Sequence, residues 1–229
     1  MSGGLAERTW PEVSAAGEAL LVVPLGSTEQ HGPHLPLATD TLVAVALAEG
    51  LARRRSDVVA GPALPYGASG EHAAFPGTLS IGQEALEQVL VELGRSADHF
   101  AGVVFVSGHG GNAAPLARAV ALLVAEGRRA LAWSPRVAGG DAHAGRTETS
   151  LLLALHPDLV HEDDAAPGAT EPLDELLPTL RHGGVRAVSA NGVLGDPTGA
   201  SAAEGARLLD ALVAELCAAI DDWRGTLAR

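Results

Sequence analysis

Between Gly26 and Asp40 the sequence GSTEQHGPHLPLATD gathers Glu29, His31, His34 and Asp40 into fifteen residues, directly behind the apolar run ALLVVPL. Carboxylates and imidazoles at this density either chelate a divalent cation or serve as caps and surface loop residues. Where the chain continues a strand, residues two apart point to the same side, so Glu29 and His31 face one point while Gln30 faces away. Asp40 comes eleven residues after Glu29, where a helix starts. A loop ordered by proline and glycine can return its carboxylate to that same point.

Two further clusters shift the balance toward chemistry. VVFVSGHGGN ends an apolar strand with His109 set between glycines, at the carboxyl end of a parallel strand where α/β proteins place their ligands. The glycines let a metal, a substrate or another chain segment approach the backbone. GGDAHAGRTETS supplies Asp141, His143 and Glu148, although Thr147 and Glu148 also suit the first turn of the helix that follows. Histidine and carboxylate donors without thiolate favour Zn, Mn or Fe(II). Such ions acidify water to near neutrality, and a pair bridged by one carboxylate also polarises an amide carbonyl.

These clusters need a frame, and the apolar pattern provides one. Leu20–Leu25, Val58–Ala60, Val103–Val106 and Ala130–Trp133 read as buried parallel strands. Helical periodicity alternates with them over Thr41–Arg53, Gln83–Ala97 and Asn112–Ala125, and in a long final helix beginning near Ser201. Ser80 with Gln83, and Ser201 with Glu204, have capping-box spacing. Strand, helix, strand, helix predicts an α/β sandwich. His156–Ser189 breaks the rhythm with acids and prolines and reads as an irregular excursion or a subunit contact.

The 229 residues, 47% hydrophobic and 19% charged, are enough for one sizeable core, so residues 1–229 read as a single domain. With a net charge of −13 and only Arg53–Arg55 as a basic run, the chain lacks the clustered cations of a nucleic-acid surface. Part of the acidity can serve cation sites. No apolar run approaches the ~20 residues that span a bilayer, and the N-terminus has no signal pattern. The lone Cys217 cannot form an internal disulfide and reads as core filling, which fits a reducing cytoplasm.

Taken in order, PLGSTEQHGPHLPLATD, EHAAFPGTLS, SGHGGN, HAGRTETS and GVLGDPTGAS resemble the creatininase (creatinine amidohydrolase) family across nearly the whole chain. The resemblance implies a three-layer α/β/α sandwich with a mainly parallel central sheet, a homo-oligomer of hexamer or octamer type, and an amide hydrolase with two divalent ions per subunit. It assigns Glu29, His31, Asp40 and His109 as ligands, with Asp40 as the bridge. Creatininases proper carry a Tyr and a metal-binding Glu after the histidine that matches His109. Here Gly110 and Gly111 stand instead. Glu148 is then the candidate for the missing ligand, or a base if one ion alone binds tightly, and His143 is the proton donor to the leaving nitrogen.

Without aromatic side chains at Gly110 and Gly111 a wider substrate site is expected. The short, Ala/Gly/Arg-rich chain and TEQHGPHLPLATDT resemble most the family's peptidase branch in mycofactocin biosynthesis. For that branch the substrate is a modified precursor peptide, which loses a C-terminal Val-Tyr dipeptide. Creatinine opening and formamide deformylation are the alternatives within the family, and a noncatalytic metal-binding protein is the alternative outside catalysis. Glu71 and His72 are expected to contact substrate or support the site, His34 to orient its loop, and Asn112 to cap its helix or hold the His109 loop, the cap being favoured. Gly108-x-Gly110 also fits a loose dinucleotide fingerprint, but the following strand ends in AWSPR without the acid that holds a ribose. No Gly-x-Ser-x-Gly elbow marks a serine hydrolase.

Overall fold

A computed structural model describes residues 4–15 and 17–227. Its strands are β1 (Leu20–Leu25), β2 (Val58–Ala60), β3 (Gly102–Ser107) and β4 (Ala130–Trp133). Its helices are α1 (Trp10–Ala15), α2 (Thr39–Arg54), α3 (Gln83–Ser96), α4 (Ala113–Ala125), α5 (Arg146–Leu155), α6 (Leu173–Gly183) and α7 (Ala202–Leu227). The four strands form one parallel sheet in the order β2-β1-β3-β4. Both central strands are buried along their whole length, because helices cover both faces of a parallel sheet.

Alternation along β1 and β3 divides the core. Leu20, Val22, Val104 and Val106 pack with apolar residues of α2, α5 and α7, including Leu47, Leu152 and Leu216. Leu21, Val23, Leu25, Val103 and Phe105 pack with residues of α3 and α4, among them Leu90, Leu116 and Leu123. The architecture is the expected three-layer α/β/α sandwich. Cys217 joins the edge of the first core. Among the described residues no helix is long and apolar enough to cross a membrane.

Three local expectations need correction. Ser80 does not cap α3, whose preceding residue is Gly82; its hydroxyl instead accepts from the Ser69 N–H at 2.9 Å and the Gly82 N–H at 3.2 Å. The stretch 156–189 contains a regular helix, α6, which tolerates Pro178 in its interior. Asn112 does not cap α4 with its side chain. Fully buried, it donates from Nδ2 to the Gly26 carbonyl at 3.0 Å and accepts from the Ala68 N–H at 2.9 Å. It therefore ties the end of β1 to the segment after β2. The Ser201 cap is formed, with the Glu204 N–H donating to its hydroxyl at 3.2 Å.

These contacts give a test. Asn112→Ala leaves the Gly26 carbonyl and Ala68 N–H buried without partners, at a cost of about 2 kcal/mol or more. Asn112→Ser keeps an oxygen suited to capping but cannot span the gap, so it should be equally destabilising in urea unfolding. A serine variant as stable as wild type would return Asn112 to the role of cap.

Candidate metal centre

Because β1 and β3 pair in register from Leu20–Gly102 to Leu25–Ser107, they end level with each other. Gly26 and Gly108 follow, and both are positions where a side chain does not fit. A Cβ on Gly26 would lie 2.4 Å from the Thr41 Cα, and one on Gly108 2.3 Å from the Asp40 carbonyl oxygen. The first turn of α2 therefore sits directly against the strand ends, and it carries Asp40. The loop from Ser27 returns on itself through the Glu29 N–H to Leu37 carbonyl bond and a bridge between His31 and Leu35.

Asp40 turns its two oxygens to different partners. Oδ1 lies 3.0 Å from His31 Nε2, with Glu148 Oε2 3.9 Å from that same nitrogen. Oδ2 lies 3.2 Å from His109 Nδ1, which is also 3.2 Å from Glu29 Oε1. Two groups of donor atoms result, Glu29–Asp40–His109 and His31–Asp40–Glu148, each with all its atoms within 4.8 Å. A third group of the same compactness, Glu29–His31–His143, overlaps both. Glu29 is fully buried, and among the described residues neither of its carboxylate oxygens makes a well-formed hydrogen bond, although ring nitrogens of His72 and His109 stand 3.2 Å from Oε1. A buried carboxylate without hydrogen bonds is the kind of group that a bound cation completes. The orphaned oxygens and the His/carboxylate donor set fit one or two borderline divalent ions.

The far nitrogens of the histidines show how each ring is oriented. His31 Nδ1 is 3.1 Å from the Glu29 carbonyl and His109 Nε2 is 3.2 Å from the Ala68 carbonyl. Carbonyls only accept, so these nitrogens carry protons, and the opposite nitrogens face the carboxylates as ligand atoms do. His143 Nε2 lies 2.8 Å from the Gln30 carbonyl and must donate to it. In the neutral ring Nδ1 is then bare, 3.9 Å from Glu29 Oε1. The side-chain amide of Gln30 accepts the Gly32 N–H on Oε1, which fixes its orientation. Its two amide protons have the Gly192 carbonyl at 3.0 Å and His72 Nδ1 at 2.9 Å as acceptors. His72 consequently bears its proton on Nε2, 3.2 Å from Glu29 Oε1.

The charges follow from these neighbours. Burial opposes protonation of His31, but Asp40, Glu148 and Glu29 outweigh it and push its pKa up to about 10. His109 is likewise raised well above the usual histidine range by Asp40 and Glu29, against its burial. Burial tends to raise Asp40, yet His31 and His109 hold it well below the usual carboxylate range. Glu148 is pushed up to about 7 by burial, with His31 opposing. His72, in contrast, is lowered to about 4 by burial, and His143 is lowered well below the usual range by burial and then by His31 and His72.

Residues 6–220 match the family model described as creatinine amidohydrolase. The chain belongs to the creatininase family. It is 53% identical over 212 residues to a mycofactocin precursor peptide peptidase of Mycolicibacterium smegmatis, covering 90% of this chain and 85% of that one. Among solved structures it is similar to one described as creatininase Mn, with a TM-score of 0.82, 28% identity and coverage of 97% and 98%. A mutant creatininase of Zn-Zn type gives the same four figures. Hydrolase chemistry and a family site for zinc or manganese accord with the donor groups above.

For a creatininase-family chain the surrounding residues fall as follows. Gln30 does not face away: it is buried and joins His72, Gly192 and the backbone of Gly32. Residues 26–30 are loop, so strand alternation does not govern them. Asp141 lies outside the cluster and accepts from the Arg146 N–H at the start of α5. His143 is clamped by Leu194, whose N–H donates to the His143 carbonyl at 2.8 Å. Ala144, with φ 53, then turns the chain so that its N–H reaches Glu148 Oε2 at 2.6 Å. His72 is buried beside Glu29, and Glu71 Oε1 stands 3.6 Å from His109 Nε2. Gly110 is open, but a Cβ on Gly111 would meet Glu71 Oε1 and His109 Nε2, both at 2.4 Å. Gly111 thus does not widen the site as expected; Glu71 fills that space. His34 is buried and holds Thr149, next to Glu148, through Nε2 at 2.9 Å.

Two measurements follow. A histidine whose folded pKa is raised from 6.5 to about 10 contributes stability that is fully present below 6.5 and lost as pH climbs through 10. The melting temperature of metal-stripped protein should fall over that interval, and stoichiometric Zn, which replaces the proton, should flatten the fall; a stripped protein with a level profile would contradict the charge assignment. Gln30→Leu should remove the amide N–H that His72 Nδ1 accepts and cost about 10- to 100-fold in metal affinity or turnover. Nitrogen-15 spectra of the histidine rings in Zn-loaded protein would show whether the His72 tautomer is lost.

Proposed function

We propose that this protein is a metal-dependent peptidase that removes a C-terminal dipeptide, Val-Tyr, from a modified precursor peptide. The observation that carries the hydrolytic reading is the sharing of Asp40 between two His/carboxylate groups, with Glu29 buried beside them and making no well-formed hydrogen bond among the described residues. The peptide substrate is supported by the 53% identity to a relative named for that activity. Glu29, Asp40 and His109 would hold one ion, and His31, Asp40 and Glu148 a second, with Zn, Mn or Fe(II) as the candidates. When bound, such ions supply acidified water and polarise the carbonyl of the amide to be cut.

The remaining work falls to side chains of the protein. Hydrolysis adds the oxygen of water to the carbonyl carbon, breaks the C–N bond and requires a proton on the departing nitrogen. His143 is suited to carry that proton. Its Nε2–H is committed to the Gln30 carbonyl, and its bare Nδ1 faces the cluster. Burial keeps the ring neutral at rest, so Nδ1 can take a proton from the attacking water and pass it to the nitrogen. Ser27, donating to Asp40 Oδ2 at 2.7 Å, and His72, beside Glu29, hold the carboxylates in place. We also read the protein as a homo-oligomer, as the family resemblance implies.

The test uses metal-stripped protein resupplied separately with Zn, Mn and Fe(II), given a precursor-type peptide ending in Val-Tyr and, in parallel, creatinine. Release of the dipeptide should require metal and vanish in His109→Ala. His143→Ala should keep its metal and lose about 10²- to 10⁴-fold in turnover. Creatinine opening in place of peptide cleavage, or cleavage that persists after chelation, would overturn the reading.

A further inference from the structure

A groove of about 690 Å³ opens beside the centre, between two segments that belong to different parts of the chain. One wall includes Ala68, Glu71 and Ala74; the other includes Leu180, Arg181 and His182, from the C-terminal end of α6. The first wall is continuous with the candidate metal ligands. The Ala68 carbonyl lies 3.2 Å and Glu71 Oε1 3.6 Å from Nε2 of His109. The walls are fixed to each other at their base. Gly184 has φ 68, and a Cβ there would come within 2.6 Å of the Glu71 carbonyl oxygen. Arg186 stacks over the Phe75 ring at 5.2 Å and donates to the Ala74 carbonyl at 3.4 Å.

The charges of the groove are unequal. Glu71, at the end next to His109, is an acid, and Arg181, on the α6 wall, forms no ion pair or hydrogen bond among the described residues. Several other arginines are held by carboxylates, as Arg54 is by Asp210 and Arg146 by Glu204. The volume lies within the ~300–1,000 Å³ typical of small-ligand sites.

We propose that this groove is the subsite for the departing C-terminal dipeptide, with Arg181 receiving its free carboxylate and Glu71 receiving the amino group that cleavage creates. The inference rests on the peptidase reading and deepens it. Before cleavage the nitrogen is an uncharged amide; once the C–N bond breaks and it gains its protons, it is an ammonium that Glu71 can pair with. The guanidinium fork matches a carboxylate in two parallel hydrogen bonds, which an ester, an amide or a longer chain does not reproduce. Specificity for a chain end is then built into the groove. A helix C-terminus attracts a cation in its own right, so the test compares ligands and not stabilities.

Zn-loaded wild type and Arg181→Gln would be given the same peptide with a free C-terminal carboxylate and with a C-terminal amide. Wild type should favour the acid by about tenfold or more in kcat/KM, largely through KM, and the variant should lose that preference, its acid form falling to the level of the amide. Calorimetric binding of Val-Tyr and of its amide to both proteins gives a readout independent of turnover. Cleavage by wild type with a preference that survives in Arg181→Gln, or with no preference, overturns the groove and leaves the peptidase reading intact. Arg181-dependent binding of the dipeptide without any peptide cleavage supports the groove and overturns the peptidase reading. Failure of wild type both to cleave and to bind overturns both.

Discussion

Asp40 and Glu29 are buried carboxylates held within reach of one another and of the partly buried Glu148, and the rest of the site is arranged around the need for positive charge among them. An interior of low polarity does not tolerate such a concentration of anions. Protons on His31 and His109 meet the need in part, which is why those two rings are driven to high pKa. Divalent cations would meet it more completely, since they would also satisfy the oxygens of Glu29, which make no well-formed hydrogen bond among the described residues. Folding and metal affinity are thus two expressions of the same electrostatic constraint.

The scaffold serves that constraint through close backbone approach. Gly26 and Gly108 end the two central strands without side chains, so α2 can begin against them and present Asp40 between the strand tips. Asp40 in the first turn of a helix gains from the dipole as well as from its histidines. Asn112 then bonds across from the β3–α4 connection to Gly26 and Ala68, closing the floor beneath His109. The left-handed turn at Ala144 brings Glu148, on α5, back toward His31. A non-glycine residue in this conformation is held against a cost of about 1–2 kcal/mol, which the Ala144 N–H bond to Glu148 offsets in part.

Most of the frame was legible in the sequence because parallel strands buried on both faces are nearly uniform apolar runs; β1, β2 and β4 begin and end where that pattern does. The donors Glu29, His31, Asp40 and His109 stand out because histidine and carboxylate gather at strand ends. What escaped was whatever depends on contacts distant in sequence. Gln30 looked outward because strand alternation was extended into a loop, and its partners His72, His143 and Gly192 are 42 to 162 residues away. Asn112 looked like a cap because its position suits one; only the fold shows that two other backbone groups claim its amide. Gly111 suggested space, and the space is taken by Glu71 from another segment. Even the capping spacing at Ser80 was overridden when its hydroxyl found the Ser69 N–H.

Four histidines crowd one centre, and their division into two kinds is the last consequence of the same geometry. His31 and His109 each press one nitrogen on Asp40, and backbone carbonyls hold the protons of the other nitrogens. In the proposed centre a metal would take the place of the proton on each. His72 and His143 pack against Gln30, with ring centroids 4.4 Å apart, where burial keeps both neutral. A neutral ring with one fixed N–H and one bare nitrogen is what proton transfer requires. The Gln30 carbonyl imposes that state on His143, while the Gln30 amide N–H occupies Nδ1 of His72 and leaves its Nε2–H beside Glu29; Gly192 makes room for the amide, since a Cβ there would fall 1.9 Å from Gln30 Oε1. The separation of the two charged histidines from the two neutral ones is therefore set in part by a residue that need touch neither metal nor substrate.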